Sequence, residues 1–350
     1  MPPPLYELEL EMVLVGSATA GAEVGLRWPI GPGDEVQRLT QTYGQLESCP
    51  GSSSAGPHKG LDISAEGTGT PVHAILPGTV THVDITKDFS SGVVVESSPM
   101  EGYHGPGGPT TPLRLKYLHL FPRSICVCVG ETVDVGHMLG HVVYEHPGHP
   151  LHLHLSVPGD EEVGSTALPG DPSLGSLNPL TLLAPQAIPE NKPRTLPARL
   201  FVISNDGNDD LPIVRKDLNA IGEGEVDIVV SVRDTDGLSD DVWLAPYEVG
   251  LTLTPAAGGR PRTFSIRYHD RLYVSVERVH LLEGADPSAG CWREREYRFH
   301  FVMTNDSGVD LVEPQKAHHW DAKEGEYVVR FAMRDVAGNT YISSAETIRV

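Results

Sequence analysis

Pro150-Leu151-His152-Leu153-His154-Leu155-Ser156-Val157 is an apolar stretch interrupted at alternate positions by two imidazoles. That period belongs to a β-strand, in which successive side chains point to opposite faces. His152 and His154 then share one face, and Leu151, Leu153 and Leu155 share the other. The leucine face can pack into a core while the histidine face offers nitrogen atoms to a pocket. What else reaches that pocket depends on residues far away in the chain.

Composition agrees with a protein built mainly of strands. The 350 residues include 37 Gly and 30 Pro but only 6% aromatics, a balance that suits short strands joined by turns. Residues 28–183 carry β-branched runs at 72–75, 79–85, 92–96, 113–120 and 138–144, separated by Gly and Pro. They read as one antiparallel β domain whose longest loop is 97–112. Ahead of it, 1–27 form an N-terminal segment in which 5–15 alternate as one more strand, of either domain. Residues 184–197 repeat proline without apolar periodicity, as a stiff linker does.

Alternation returns over 198–350, at Val226, Ile228, Val230 and Val232, at Tyr247, Val249, Leu251 and Leu253, and at Tyr327, Val329, Phe331 and Met333. This predicts an immunoglobulin-like β-sandwich. A short internal echo runs through it. Gly224-Glu225 and Arg233-Asp234 bracket one strand as Gly325-Glu326 and Arg334-Asp335 bracket another. Asp-rich turns at 205–210, 234–241 and 335–339 have the oxygen ligands Ca²⁺ takes, and ordinary Asx turns account for them equally well.

Lys and Arg number 26 against 47 Asp and Glu, a formal charge of -21. That excess opposes binding to nucleic acid or to an anionic membrane surface. No apolar run approaches the roughly 20 residues of a membrane span. Glu7, Glu9 and Glu11 occupy the region where a secretory signal would carry basic residues, so no such signal is visible. The cysteines, Cys49, Cys126, Cys128 and Cys291, include no CxxC pair. Cys126 and Cys128 are expected on the same face of one strand, poorly placed to bond to each other.

Sixteen histidines are present, and those at 137, 141, 146, 149, 152 and 154 crowd the end of the first domain. Ligand spacing separates a few from the rest. In His58-Lys59-Gly60-Leu61-Asp62, a bend at Gly60 would let an imidazole and a carboxylate aim at one point. With a histidine from another strand they make the two-nitrogen, one-oxygen set of a catalytic zinc site that keeps a fourth position for water. His146 and His149 lie in a loop, and His73, His82, His104, His137 and His141 read as surface or structural residues.

His58-x-x-x-Asp62, Gly69-Thr70-Pro71-Val72 with Ala74, Gly78-Thr79-Val80, Tyr117-Leu118-His119-Leu120, 130–135, Gly140 and His152-Leu153-His154, in this order, resemble the lysostaphin-type zinc endopeptidases, metallopeptidase family twenty-three. The resemblance spans 28–157. It implies a β-rich peptidase that cuts short peptides of bacterial cell-wall peptidoglycan, with His58, Asp62 and His154 as zinc ligands and His119 and His152 as catalytic histidines. The split between His152 and His154 comes from the resemblance alone, because an HxH pair can supply two ligands. Zinc so held lowers the pKa of a bound water and polarises the scissile carbonyl. The two imidazoles would handle the proton and the oxyanion, in an order left open.

This sequence departs from the family pattern in three places. Tyr43-Gly44-Gln45 is present but 46–57 contain no tyrosine to support an oxyanion; 144–150 replace the usual small-residue approach to the HxH; and the 97–112 loop is extended. The chain therefore reads as a zinc metalloendopeptidase followed by a partner-binding or positioning domain. Wall hydrolysis implies an extracellular or periplasmic location. Two alternatives stay open: a catalytically inactive family member that binds the wall or activates another hydrolase, and a metal-sequestering protein that binds several ions through its histidine-rich stretch.

Overall fold

A computed structural model of the chain describes residues 26–31, 33, 37–44, 58–86, 91–99, 110–142, 151–158 and 176–183, and further segments between 199 and 349. Among the described residues all regular structure is β, apart from two single-turn 3₁₀ helices, Pro122–Ser124 and Pro179–Thr181.

The first half builds nine strands: β1 (Leu39–Gln41), β2 (Gly60–Ser64), β3 (Pro71–His73), β4 (Gly78–Asp84), β5 (Gly92–Ser97), β6 (Leu113–Leu118), β7 (Thr132–Val133), β8 (Met138–His141) and β9 (His152–Ser156). Seven form one sheet in the order β1-β2-β9-β6-β5-β4-β7, while β3 and β8 pair separately. Every pairing is antiparallel. Antiparallel sheets commonly bury one face and leave the other open, and the strands alternate accordingly. Leu61, Ile63, Leu153, Leu155, Leu113, Leu115, Tyr117, Val93 and Val95 turn to one side and are almost fully buried. Asp62, His152 and His154 alternate with them and so stand on the opposite side. Glu96 and Arg114, paired in register between β5 and β6, close an ion pair of 2.8 Å there.

The predicted strands correspond to β3, β4, β5, β6, β8 and β9, with ends shifted by up to three residues. Two readings are corrected. Gly60 makes no bend: it opens the regular strand β2 and lacks a positive φ. Cys126 and Cys128 belong to no strand; they lie in the connection between the first 3₁₀ turn and β7, exposed and unbridged. There the Cys126 thiol reaches the Met138 carbonyl at 3.1 Å and the Cys128 thiol reaches Glu131 Oε2 at 3.5 Å.

The second half contains β10 (Arg199–Ser204), β11 (Arg215–Lys216), β12 (Gly224–Val232), β13 (Asp234–Thr235), β14 (Trp243–Leu244), β15 (Glu248–Pro255), β16 (Arg262–Arg267), β17 (Phe299–Val302), β18 (Trp320–Ala322), β19 (Glu326–Arg334), β20 (Thr340–Ile342) and β21 (Glu346–Arg349). They make two antiparallel five-stranded sheets and the small β13-β14 pair. One sheet runs β11-β10-β12-β17 with β18 also on β12; the other runs β16-β15-β19-β20 with β21 also on β19.

The two strands bracketed by the sequence echo, β12 and β19, are thus the nine-residue centres of the two sheets. Each meets one long partner on one edge and two short partners, end to end, on the other. Strands of the two sheets interleave along the chain. The described residues establish two antiparallel sheets and do not establish an immunoglobulin-type connection between them. Residues 1–25 and the linker 184–197 lie outside the described residues. So do the proposed Ca²⁺ turns, apart from Asp234 and Thr235, which are strand residues, so nothing described supports a Ca²⁺ site.

Candidate metal centre

Strand register builds the centre on the face of the seven-stranded sheet opposite the leucines. Asp62 of β2 lies directly opposite His154 of β9, and Ser64 opposite His152. Leu118, the last residue of β6, flanks His154 from the other side. His58 precedes β2, and an extended chain returns to one face every second residue, so His58, Gly60 and Asp62 look the same way. The missing side chain of Gly60 makes room between them. A Cβ there would stand 2.4 Å from the Leu155 carbonyl oxygen and 2.8 Å from His154 Nε2. The glycine of the HxGxD run therefore serves close approach of the His154 ring, not a turn.

His58 Nε2, Asp62 Oδ1 and His154 Nδ1 form a small triangle, with edges of 3.1 Å between His58 and Asp62, 3.0 Å between the two histidines and 2.9 Å between His154 and Asp62. His58 is fully buried and Asp62 is 4% exposed. The other ring nitrogen of His58, Nδ1, lies 3.1 Å from the Thr42 carbonyl oxygen. A carbonyl can only accept, so Nδ1 carries the proton and donates it. In a neutral ring that leaves Nε2 as a bare lone pair, facing a carboxylate oxygen at 3.1 Å and a second imidazole at 3.0 Å. A neutral His154 can donate one N–H from Nδ1, but His58 Nε2 and the carboxylate oxygen then still face each other lone pair to lone pair, an arrangement that an extra proton or a cation relieves.

A cation fits the triangle. Donors about 2.0–2.1 Å from a tetrahedral zinc lie about 3.3 Å apart, so these three would open by only a few tenths of an ångström. Burial raises the Asp62 carboxyl, but the positive charge and hydrogen bonds that His58 and His154 offer when protonated outweigh it and hold the carboxyl well below the usual range. The group is thereby kept ionised. The Thr42 carbonyl, which sets the His58 tautomer, is the outer-shell partner that metal-binding imidazoles ordinarily have.

His119 and His152 stand beside this triangle. His152 Nε2 is 3.4 Å from the second oxygen of Asp62, Oδ2, and its side chain is 15% exposed. Strict alternation would send His119 to the buried side with Tyr117. Instead β6 ends at Leu118, and His119 takes φ 67°, the one positive φ outside glycine among the described residues. That conformation costs about 1–2 kcal/mol for an L-residue. It brings the His119 ring to 4.7 Å from that of His152, edge to face at 83°, and to 5.8 Å from that of His154.

The structure thus brings all five sequence-selected residues together. Asp62, His119 and His152 also form a group whose candidate ligand atoms lie within 4.8 Å of one another, as do those of His58, Asp62 and His154. His73, His82, His137 and His141 join neither group, and His104, His146 and His149 lie outside the described residues. Tyr43 is turned away in the core: its hydroxyl lies 2.8 Å from the Ser176 carbonyl and 2.9 Å from the Ser176 hydroxyl. Thr42, whose contribution is a backbone oxygen, has no side-chain signature by which sequence reasoning could have found it.

No protein-family model matches the chain, and no curated protein does. Among solved structures, part of the chain is similar to a zinc-containing peptidase from Vibrio cholerae, at 24% identity over 38% of this chain and 36% of that one, with a TM-score of 0.29. It is also similar to the catalytic domain of the antimicrobial peptidase lysostaphin from Staphylococcus simulans, at 22% identity over 41% of this chain and 90% of that one, with a TM-score of 0.29. The chain thus matches little more than a third of the length of the Vibrio cholerae protein. At such identities and scores the likeness assigns neither family nor activity.

Proposed function

We propose that this chain is a zinc-dependent endopeptidase acting on peptidoglycan peptides, with His58, Asp62 and His154 holding the metal and His119 and His152 serving catalysis. The observation that carries the reading is the crowding of acceptors: a buried imidazole whose proton is committed to the Thr42 carbonyl faces an ionised carboxylate and a second imidazole at about hydrogen-bond distance. A bound zinc would supply Lewis-acid polarisation of a peptide carbonyl and acidify a water at neutral pH.

The protein's own groups do the rest. Asp62 presents one oxygen to the ligand triangle and the other to His152, so it orients that ring as well as contributing charge. His152 and His119, side by side at the rim, can take a proton from the attacking water and return one to the leaving amine, each role worth about 10² to 10⁴ in rate. His152 and His154 keep 15% and 14% of their side chains exposed, which is where a substrate would reach the centre. The peptidoglycan assignment draws on the ordered sequence resemblance. It entails export, and among the described residues no helix is long and apolar enough to cross a membrane.

Zinc content after exhaustive dialysis, together with release of soluble fragments from purified peptidoglycan, tests the proposal. One zinc per chain and release of new amino termini are expected. A folded, zinc-free and inactive protein would overturn it and leave a wall-binding or activating role in its place.

A further inference from the structure

We propose that Lys116 and Ser156 form an anion pocket beside the metal triangle, seating a carboxylate that the peptide carries about two residues from the scissile bond. The inference rests on the hydrolase reading above and adds a substrate class to it: peptides with an acidic residue near the cut.

Register puts both residues on the face that carries the metal ligands. Lys116 of β6 lies directly opposite Ser156 of β9, one step along from the pair Leu118 and His154. Leu115, Tyr117, Leu155 and Val157 take the alternate positions and are buried on the other side. Two residues of strand span about 7 Å, so the pocket stands about that far from His154. An extended peptide advances by the same amount in two residues, which sets where along the substrate the charge belongs.

Two unsatisfied groups meet there. Ser156 is only 6% exposed, yet no hydrogen bond engages its hydroxyl among the described residues, although a hydroxyl so buried ordinarily has a partner. On its other flank stands Gly60, which has no side chain to supply one. Lys116 is half-buried and meets no carboxylate at ion-pair distance among the described residues. The strands of this sheet contain one other Lys or Arg, Arg114, and its Nε is already held by Glu96 at 2.8 Å. A lysine carries three N–H donors at the end of an apolar stem, so burial of the stem leaves the ammonium at the rim of the site. With a formal charge of -21, the chain as a whole repels an acidic peptide. A local ammonium and hydroxyl, each donating to one carboxylate oxygen, supply the attraction that the overall charge denies.

The test is calorimetric binding of hexapeptides of Gly and Ala that hold Glu, or Gln in its place, two residues to one or the other side of the central bond. Zinc-loaded full-length protein carrying His152→Ala serves as the background, so that bound peptide is not consumed. At one of the two positions the Glu peptide is expected to bind about 10-fold more tightly than its Gln counterpart. Lys116→Ala, shown folded by circular dichroism, should abolish that preference and leave the Gln peptide unaffected; Lys116→Glu should reverse it and Lys116→Arg should keep most of it. Ser156→Ala should lower it to about 3-fold. Equal binding of the two peptides, no binding of either, a preference that survives Lys116→Ala, or a loss shared equally by both peptides would each overturn the pocket. Peptidoglycan digestion by the wild type reads the hydrolase claim separately: a protein that prefers the Glu peptide through Lys116 but releases no fragments would overturn that claim and leave the pocket standing.

Discussion

Two imidazoles on one strand face meet different partners, and that difference can be measured residue by residue. His154 Nδ1 closes the triangle with His58 and Asp62 Oδ1, while His152 Nε2 reaches only Asp62 Oδ2. His154→Ala is expected to lose the tightly held zinc. His152→Ala should retain it and lose about 10² to 10⁴ in turnover. Zinc analysis and digestion rate on the same preparations check this, and equal zinc loss in both variants would make the pair interchangeable ligands. His119 offers a second test, because its left-handed backbone is a conformation only glycine adopts without penalty. His119→Gly should gain about 1 kcal/mol in denaturant unfolding while turnover falls; loss of both would mean the ring is structural. The His58–Asp62 spacing and the His152-Leu153-His154 pair were legible in the sequence, whereas the choice of His154 over His152 rested on the family resemblance alone. The reason for the His58–Asp62 spacing was not legible, since HxGxD reads equally as a bend or as a strand with a gap. Nor does any residue type announce that His119 leaves the alternation that Tyr117 obeys.

Among the elements, β2 and β9 must approach closely for the centre to form, and Gly60 marks the point of closest approach. An alanine Cβ would meet the Leu155 carbonyl at 2.4 Å, a backbone atom that cannot turn aside as a side chain does. Gly60→Ala should therefore force the strands apart at the register pair Asp62–His154, costing about 1–3 kcal/mol of stability and weakening zinc retention together. Thermal unfolding of the metal-free protein separates the two effects; an unchanged melting temperature and zinc content would show that β2 can move freely. Most strands were legible because β-branched runs alternate between Gly and Pro. β2 was hidden, since its five residues include a glycine and an aspartate, both ordinarily turn formers. The segment with Cys126 and Cys128 erred the other way: its apolar and cysteine alternation looks like a strand, yet Cys126, Cys128 and Val129 are exposed and belong to none.

At the scale of the whole molecule, both candidate ligand groups found among the described residues come from the first half, on or beside the strands of one sheet. The two sheets of the second half share β12 and β19 as matched centres, and because their strands interleave along the chain, neither sheet can be completed without the other. The sequence echo pointed to those two strands. It could not show the interleaving, because pairing partners such as Val229 and Val302 are distant in sequence and carry no shared local signal. A ligand that binds only the native first half stabilises that half alone, by about 2.7 kcal/mol when free zinc is 100 times its dissociation constant. For a unit of 150–250 residues this is worth about 5–11 °C. Scanning calorimetry of the full chain should therefore show one transition that falls by this amount on chelation and another that does not move. If chelation shifts both transitions equally, or only one is present, the halves unfold as a single cooperative body. The second half would then support the metal centre through shared stability, even though it supplies none of its ligands.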